Sequence, residues 1–508
     1  MSSNSRKKNA ILNISIGYIS QICILLLSFV SRKIFVVFLP IDYLGINGLY
    51  SNVLSVLSIT ELGLGSVMQF SLYKPVVDNN KDLINALLRY YKKIYYLIAL
   101  TITVLGLLLI PFLRYIVKSE LKQSDLITYY ILFLINSVVS YFVAHKIALL
   151  SANQDNRLQK IINMFSTVGL QFLHILVLVM WKNYIVYIIV TLLTTIASQI
   201  ILSSICNKRY PYIKNRVVNA TPDKKNILKN IKSTFIYKIG TVIINNTDNI
   251  LISMIVGTAT VGLYSNYCLI VNAVQGFISI ITVSLISGVG NMSVEKNKDK
   301  MNKLFNSMLL FYHFIAAFGG ICFYFLLSDF ISIWLGGRFV LDNYTVFAIA
   351  FNYYLTNAIS PIWMYRESNG LFVKVKYLML TTAIANIALS IVFGVLWGTF
   401  GILLASAIAR ITTAVWYEPF VLFNNVFDTP VKQYWIKQLK YLILTISSVA
   451  VCLIISKLIP DGLIFILIKA VIYMIICSLV FIVSNIKSEE ISYIKNIVRG
   501  IIKKKKIA

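Results

Sequence analysis

Acidic residues are scarce in this 508-residue chain: 19 Asp and Glu stand against 47 Lys and Arg, and charged residues of both signs reach only 13%. A soluble domain carries about a quarter charged residues, so that class is excluded. Disorder is excluded too, because it needs low hydrophobicity. Histidines number three and cysteines six. Cys23, Cys206, Cys268, Cys322, Cys452 and Cys477 lie scattered without CxxC spacing, and His145, His174 and His313 are equally dispersed. No disulfide framework, redox pair or metal site is suggested, and no cofactor is expected. HExxH, GxxxxGKS/T and a DxD in a soluble segment are all missing. The longest outer connection is about 328–343, where Asp329, Arg338 and Asp342 read as helix-end residues. An enzyme is therefore not expected.

Apolar residues are abundant: 58% of the chain is hydrophobic, with mean hydropathy +0.78. That composition belongs to an all-α polytopic membrane protein. Stretches long enough to cross a bilayer fall at 11–38, 46–72, 92–113, 124–144, 161–181, 184–206, 235–256, 261–288, 304–327, 344–364, 375–397, 400–424, 441–459 and 463–484. The spacing thus predicts 14 transmembrane helices. Arg6-Lys7-Lys8 opens the chain without a short apolar region and small-residue cleavage site after it, so the first stretch reads as a retained helix. The second is interrupted by Gly45, Gly48, Gly63, Gly65 and many serines, the composition of a close helix contact or of a wet cavity wall.

A net charge of +28 would suggest nucleic acid in a soluble protein. Here the basic residues sit between apolar stretches, which points to an anionic membrane surface and no nucleic acid. With the N-terminus inside, 37 of the 47 basic residues fall in inner segments and six in outer ones. Arg32, Lys33, Arg410 and Lys469 lie within spans. That asymmetry places both termini in the cytoplasm of a multi-pass cell-membrane protein. The expected organisation is an N-lobe at 1–206 (helices 1–6), a basic cytoplasmic connection at 207–234, a C-lobe at 235–427 (helices 7–12), helices 13–14 at 428–484 and a basic amphipathic tail at 485–508. Thr221-Pro222 starts a short helix within the connection, with Ile227, Leu228 and Ile231 on one face. In the tail, Ile491, Ile494, Val498, Ile501 and Ile502 form a stripe suited to membrane docking.

Gly48-Leu49-Tyr50-Ser51-Asn52 recurs as Gly262-Leu263-Tyr264-Ser265-Asn266, each copy opening the second helix of a six-helix half. Two six-helix lobes related by a pseudo-two-fold axis along the membrane normal, plus two C-terminal helices, follow.

Charges at bilayer depth cost at least ~2.5–3.5 kcal/mol and mark functional candidates. Arg32, Asp248 and Arg410 are deep, on helices 1, 7 and 12, and cannot all lie against lipid at tolerable cost. Glu61, near the middle of helix 2, reads as a neutralising partner of Arg32 or Arg410, or as an ion-coupling group. Lys33, Lys238, Glu418 and Lys469 complete the set, and Lys238 and Lys469 lie close enough to helix ends to snorkel. The simplest arrangement is a wet cavity between the halves with excess positive charge, in which guanidinium forks suit phosphate oxygens. Asp248 and Glu61 would bind a coupling cation or proton, with Asn386 and Ser390, spaced i,i+4, as neutral oxygen ligands or core packing. Tyr90, Tyr91, Tyr95, Tyr96, Tyr353 and Tyr354 read as interface belts.

Glu61-Leu62-Gly63-Leu64-Gly65-Ser66 with Leu72-Tyr73-Lys74-Pro75 resembles the helix 2 signature of polysaccharide flippases of the polysaccharide-transport (Wzx-type) family, in the multidrug/oligosaccharidyl-lipid/polysaccharide exporter superfamily. Lys238-Ile239-Gly240, Asp248-Asn249 and Gly262 to Tyr267 resemble its helix 7–8 pattern. Gly290-Asn291, Trp334-Leu335-Gly336, Tyr365-Arg366-Glu367 and Gly370-Leu371-Phe372 continue the likeness, which runs from about Asn13 to Phe427. The resemblance implies an alternating-access fold that flips undecaprenyl-diphosphate-linked oligosaccharide repeat units for capsule or exopolysaccharide assembly, alongside polymerase and glycosyltransferases of the same pathway. It also implies antiport of H⁺ or Na⁺. Arg32, Arg410, Lys33 and Lys238 are then the diphosphate candidates. A drug exporter of the same fold, or a membrane glycan polymerase or acyltransferase, is the competing expectation.

Overall fold

In hydrocarbon each backbone N–H and C=O must find an internal partner, so an apolar chain of this kind crosses the membrane as helices. Among the described residues every regular element is helical. The computed structural model describes residues 3–496 apart from 62–63, 154–155, 215–221, 223, 296–297, 372–373 and 428. The chain divides into two compact units, Met1–Ser265 and Asn266–Ala508.

The first unit holds α1 (Ser3–Phe38), α2 (Ile41–Leu57), α3 (Leu64–Val77), α4 (Lys81–Leu109), α5 (Leu113–Ile116), α6 (Gln123–Val139), α7 (Ala144–Ala152), α8 (Asn156–Met180), α9 (Tyr184–Arg209) and α10 (Lys224–Ile255). It also takes the first turns of α11 (Thr258–Glu295). The second continues with α12 (Lys298–Leu335), α13 (Asn343–Ala358), α14 (Ser360–Ser368), α15 (Lys376–Thr412), α16 (Ala414–Val426), α17 (Val431–Leu458) and α18 (Leu463–Asn485). Ten stretches of the described residues are long and apolar enough to cross a membrane. One of them, Lys376–Val426, bends back at Gly398, whose φ of 60° only glycine takes easily, and so supplies two crossings. The α2–α3 pair, α10 and the α13–α14 pair add three more whose apolar runs are broken or charged. The protein is a 14-helix multi-pass membrane protein.

Local sequence accounts for several boundaries. Asn80 caps α4 by accepting the Leu83 N–H at 3.0 Å, and Asp342 caps α13 by accepting the Thr345 N–H at 2.9 Å. Along α4 one face is buried (Ile84, Leu88, Tyr91, Tyr95, Ile98, Ile102) and the other exposes Leu97, Leu100 and Leu108, as a helix between protein and lipid must. The first unit is drawn tight where glycines replace side chains. A Cβ on Gly45 would stand 1.9 Å from the Thr258 carbonyl oxygen, and one on Gly262 would stand 2.5 Å from that of Ile41. The Ser253 hydroxyl donates to the Ile116 carbonyl at 2.8 Å and the Thr258 N–H to that of Lys118 at 3.0 Å, fastening the end of α10 to the α5 segment.

In the second unit α17 and α18 pack on α12 around Ile321, Leu326, Cys452, Ile466, Tyr473 and Cys477.

Three expectations change. The short helix after Thr221-Pro222 is continuous with helix 7, since no residue between Lys224 and Ile255 stops it; Thr221 itself lies outside the described residues. Tyr91, Tyr95 and Tyr353 are buried rather than belted at an interface, because each lies on its helix's inward stripe. Lys469 does not snorkel to water: it is 3% exposed and held at 2.8 Å from Asp461 and 3.8 Å from Asp329. Of the tail, 489–496 is helical, and 497–508, with Val498, Ile501 and Ile502, lies outside the described residues.

Candidate functional site

Two helices of the first unit lose their regular hydrogen bonding side by side. Helix 2 passes through a 3-10 turn at Ser58–Glu61 between α2 and α3, and helix 4 through another at Ser140–Phe142 between α6 and α7. Irregular backbone at membrane depth is tolerated where it lines a water-filled space. Such a space is there, a cavity of about 720 Å³ reached by Glu61, Tyr95, Tyr141, Gln69, Gln199 and Lys238 among others. The two breaks are stitched together by the Tyr141 hydroxyl, which donates to Ser58 Oγ at 2.9 Å and shares a hydrogen bond with the Glu61 carboxyl group. Lys238 supplies the positive charge acting on Glu61. Sequence reading placed Arg32 or Arg410 opposite Glu61. The lysine takes that place because α10 runs through Lys238 as unbroken helix and turns its side chain into the cavity, which also removes the need to snorkel.

The other first-unit candidates lie at a different level. Asp248 is ten residues beyond Lys238 on α10, about 15 Å along the axis. Arg32, half-buried six residues from the end of α1, donates to Ser265 Oγ at 2.8 Å and acts electrostatically on Tyr187. Tyr187 stacks on His174 at 3.7 Å between ring centroids, next to Phe35, Tyr184, Tyr43 and Tyr129, so Arg32 borders an aromatic cluster. Lys33 is exposed, turned about 100° away around the helix.

In the second unit Arg410 donates to Thr356 Oγ1 at 3.0 Å. Asn386 and Ser390 are fully buried between the two limbs of α15: the Asn386 amide donates to Ser406 Oγ at 2.8 Å and the Ser390 hydroxyl to the Ile402 carbonyl at 3.4 Å. Those contacts are helix packing. Glu418 pairs with Arg366 at 2.5 Å, with Glu367 on the other side of the guanidinium at 3.0 Å.

Sequence reasoning missed Tyr95, Tyr141, Gln69 and Gln199 as cavity residues. Tyr95 was legible as part of the i,i+4 stripe with Tyr91. Nothing in Ser140-Tyr141-Phe142 announces a 3-10 turn, since no proline or glycine marks it.

The family described as "Polysaccharide biosynthesis protein" matches residues 8–286. No curated protein matches the chain. Among solved structures, the lipid II flippase MurJ in an inward closed conformation is 16% identical, covers 92% of this chain and all of its own, and superposes with a TM-score of 0.60. A mutant of the Vibrio cholerae MATE transporter VcmN is 14% identical, with 84% and 99% covered and a TM-score of 0.57. An inward-facing multidrug resistance MATE family transporter of the MOP superfamily is also 14% identical, with 82% and 99% covered and a TM-score of 0.55. At these identities the likeness establishes the fold.

Proposed function

Because the chain belongs to the polysaccharide biosynthesis protein family, we propose that it is a flippase for undecaprenyl-diphosphate-linked oligosaccharide repeat units. It carries them from the inner to the outer leaflet of a bacterial plasma membrane for capsule or exopolysaccharide assembly, with both termini cytoplasmic. The observation that carries this reading is the cavity at the paired helix breaks. Its hydroxyls and amides (Ser55, Ser58, Ser140, Ser151, Gln69, Gln199) suit a glycan, which binds by neutral hydrogen bonds. Lys238 adds a point charge for a phosphate in that cavity; outside it, Arg32 in the first unit and Arg410 in the second are separate diphosphate candidates, planar forks that stay charged at any relevant pH. A fold neighbour that flips lipid II supports a lipid-linked glycan as the substrate class.

Flipping proceeds by alternating access. Glu61, bonded to Tyr141 and facing Lys238, is the group where antiport of H⁺ or Na⁺ exchanges with substrate. For antiport, the cation held at Glu61 and the substrate held in the cavity exclude one another, so each is carried in its own half of the cycle. Asp248 is a second candidate on the same helix. The test is export in a cell lacking the native gene. R32Q and R410Q should insert normally yet lose surface polysaccharide and accumulate lipid-linked repeat units in the inner leaflet. Normal export by both variants would remove the diphosphate role.

A further inference from the structure

At the paired helix breaks one proton has two claimants. The Ser58 hydroxyl donates to the Leu54 carbonyl at 2.8 Å, one turn back along α2, so the Ser58 oxygen can only accept. The Tyr141 hydroxyl donates to that oxygen at 2.9 Å and shares a hydrogen bond with the Glu61 carboxyl group. A phenol has a single proton, and Ser58 takes it, so the Tyr141 oxygen is left to accept from Glu61. An ionised carboxylate has no proton to give, whereas a carboxylic acid has one. The chain Glu61–Tyr141–Ser58–Leu54 therefore has every donor matched to an acceptor when Glu61 is protonated.

Among the described residues, the titratable groups that act on Glu61 come from three elements: Tyr95 on α4, Tyr141 at the break of helix 4 and Lys238 on α10. Both phenols are uncharged near neutrality. The Lys238 ammonium attracts the carboxylate form instead. In that form Tyr141 gains a stronger, charge-assisted bond by turning its proton onto Glu61, and Ser58 loses its donor. The stitch between the two breaks then moves from Ser58, at the start of the 3-10 turn of helix 2, to Glu61 at its end. A hard cation such as Na⁺ in the proton's place would need a full shell of oxygen ligands, whereas Lys238 can only donate.

We propose that the cation exchanged at Glu61 is a proton, and that Tyr141 and Ser58 are positioning residues that hold it there, an inference that rests on the antiport reading above and deepens it. On release the proton passes from the Glu61 carboxyl oxygen to water in the cavity, the carboxylate remains, and Tyr141 turns its own proton from Ser58 to Glu61. Uptake reverses each step. One hydroxyl with two discrete arrangements thus ties the charge on Glu61 to the geometry of the helix 2 break, as a coupling element must.

Infrared difference spectra of the purified full-length protein in detergent, recorded across pH without lipid substrate, read the carboxylic-acid C=O stretch of Glu61, identified by its loss in E61Q. Wild type should show this band at acid pH and lose it as pH rises. S58A removes an acceptor that only the protonated arrangement uses, so its band should vanish about 0.7 pH unit earlier, the worth of one hydrogen bond. Y141F should move the band to higher frequency, because the acid loses its acceptor. Added Na⁺ at fixed pH should leave the wild-type band in place. No band at any pH where the protein stays folded, or a band unchanged in both S58A and Y141F, would overturn the proposal. Loss of the band on adding Na⁺ would overturn the proton assignment. If S58A folds poorly, Y141F and the wild-type sodium titration decide the matter. Because no lipid is needed, an absent band beside normal flipping defeats this inference alone, and a normal band beside absent flipping defeats only the flippase reading.

Discussion

Replacing Glu418 by Gln should be among the most damaging single changes in the second unit. The Arg366 and Glu418 side chains are 4% and 9% exposed and 2.5 Å apart, so little solvent screens them. Removing one partner of a buried ion pair costs about 3–5 kcal/mol, because the remaining charge stays desolvated. Glu367 offsets part of that loss from 3.0 Å, although it is 29% exposed, and about 3 kcal/mol remains. For a unit of this size each kcal/mol lowers Tm by about 2–4 °C, so E418Q should melt about 6–12 °C below wild type. R366M/E418L removes both charges and should recover to within about 1 kcal/mol of wild type. E367Q, nearer solvent, should cost less than about 1 kcal/mol. Intrinsic tryptophan fluorescence during heating of the detergent-purified protein reads all four. A shift under 2 °C for E418Q, or a double variant no better than E418Q, would refute the argument that compensation of the buried charge dominates there.

Other consequences follow from the same geometry. G45A should cost about 3 kcal/mol, because its new methyl meets the Thr258 carbonyl rather than a movable side chain, whereas G169A, with nothing within 4 Å, should be neutral; monodispersity and melting distinguish them. The imidazole of His145 is held below its ordinary value at about 4, so the unfolded chain takes up the proton first as pH falls. Stability is therefore full above about pH 6.5 and is lost toward pH 4, by about 2 kcal/mol at pH 5. H145Q should flatten that part of the melting profile. D329N/D461N should destabilise far more than either single change, since one acid continues to compensate the buried Lys469.

Much of the architecture was legible because the membrane imposes it. Runs of apolar residues and the bias of lysine and arginine toward alternate connections follow from hydrocarbon thickness and surface potential. The turn at Gly398 was equally readable, with spans ending at 397 and restarting at 400. The site was less so. Glu61 and Lys238 were each picked out by the cost of charge in hydrocarbon, but their meeting depends on tertiary packing between distant helices, and so does that of Arg366 with Glu418. The 3-10 turn at Ser140–Phe142 lacks a breaker residue, whereas the one at Ser58–Glu61 is followed by Gly63 and Gly65. What could be read was the serine density of helix 2, which matches a wall that faces a polar space.

The most direct measurement reconstitutes the purified protein in liposomes with a fluorescent undecaprenyl-diphosphate oligosaccharide and follows its arrival in the opposite leaflet by loss of protection from an added glycosidase. Wild type should equilibrate the lipid across the bilayer at a rate that responds to a H⁺ or Na⁺ gradient. E61Q should bind the lipid but lose the gradient response. Translocation no faster than in empty liposomes, or an E61Q variant indistinguishable from wild type under both gradients, would contradict the account.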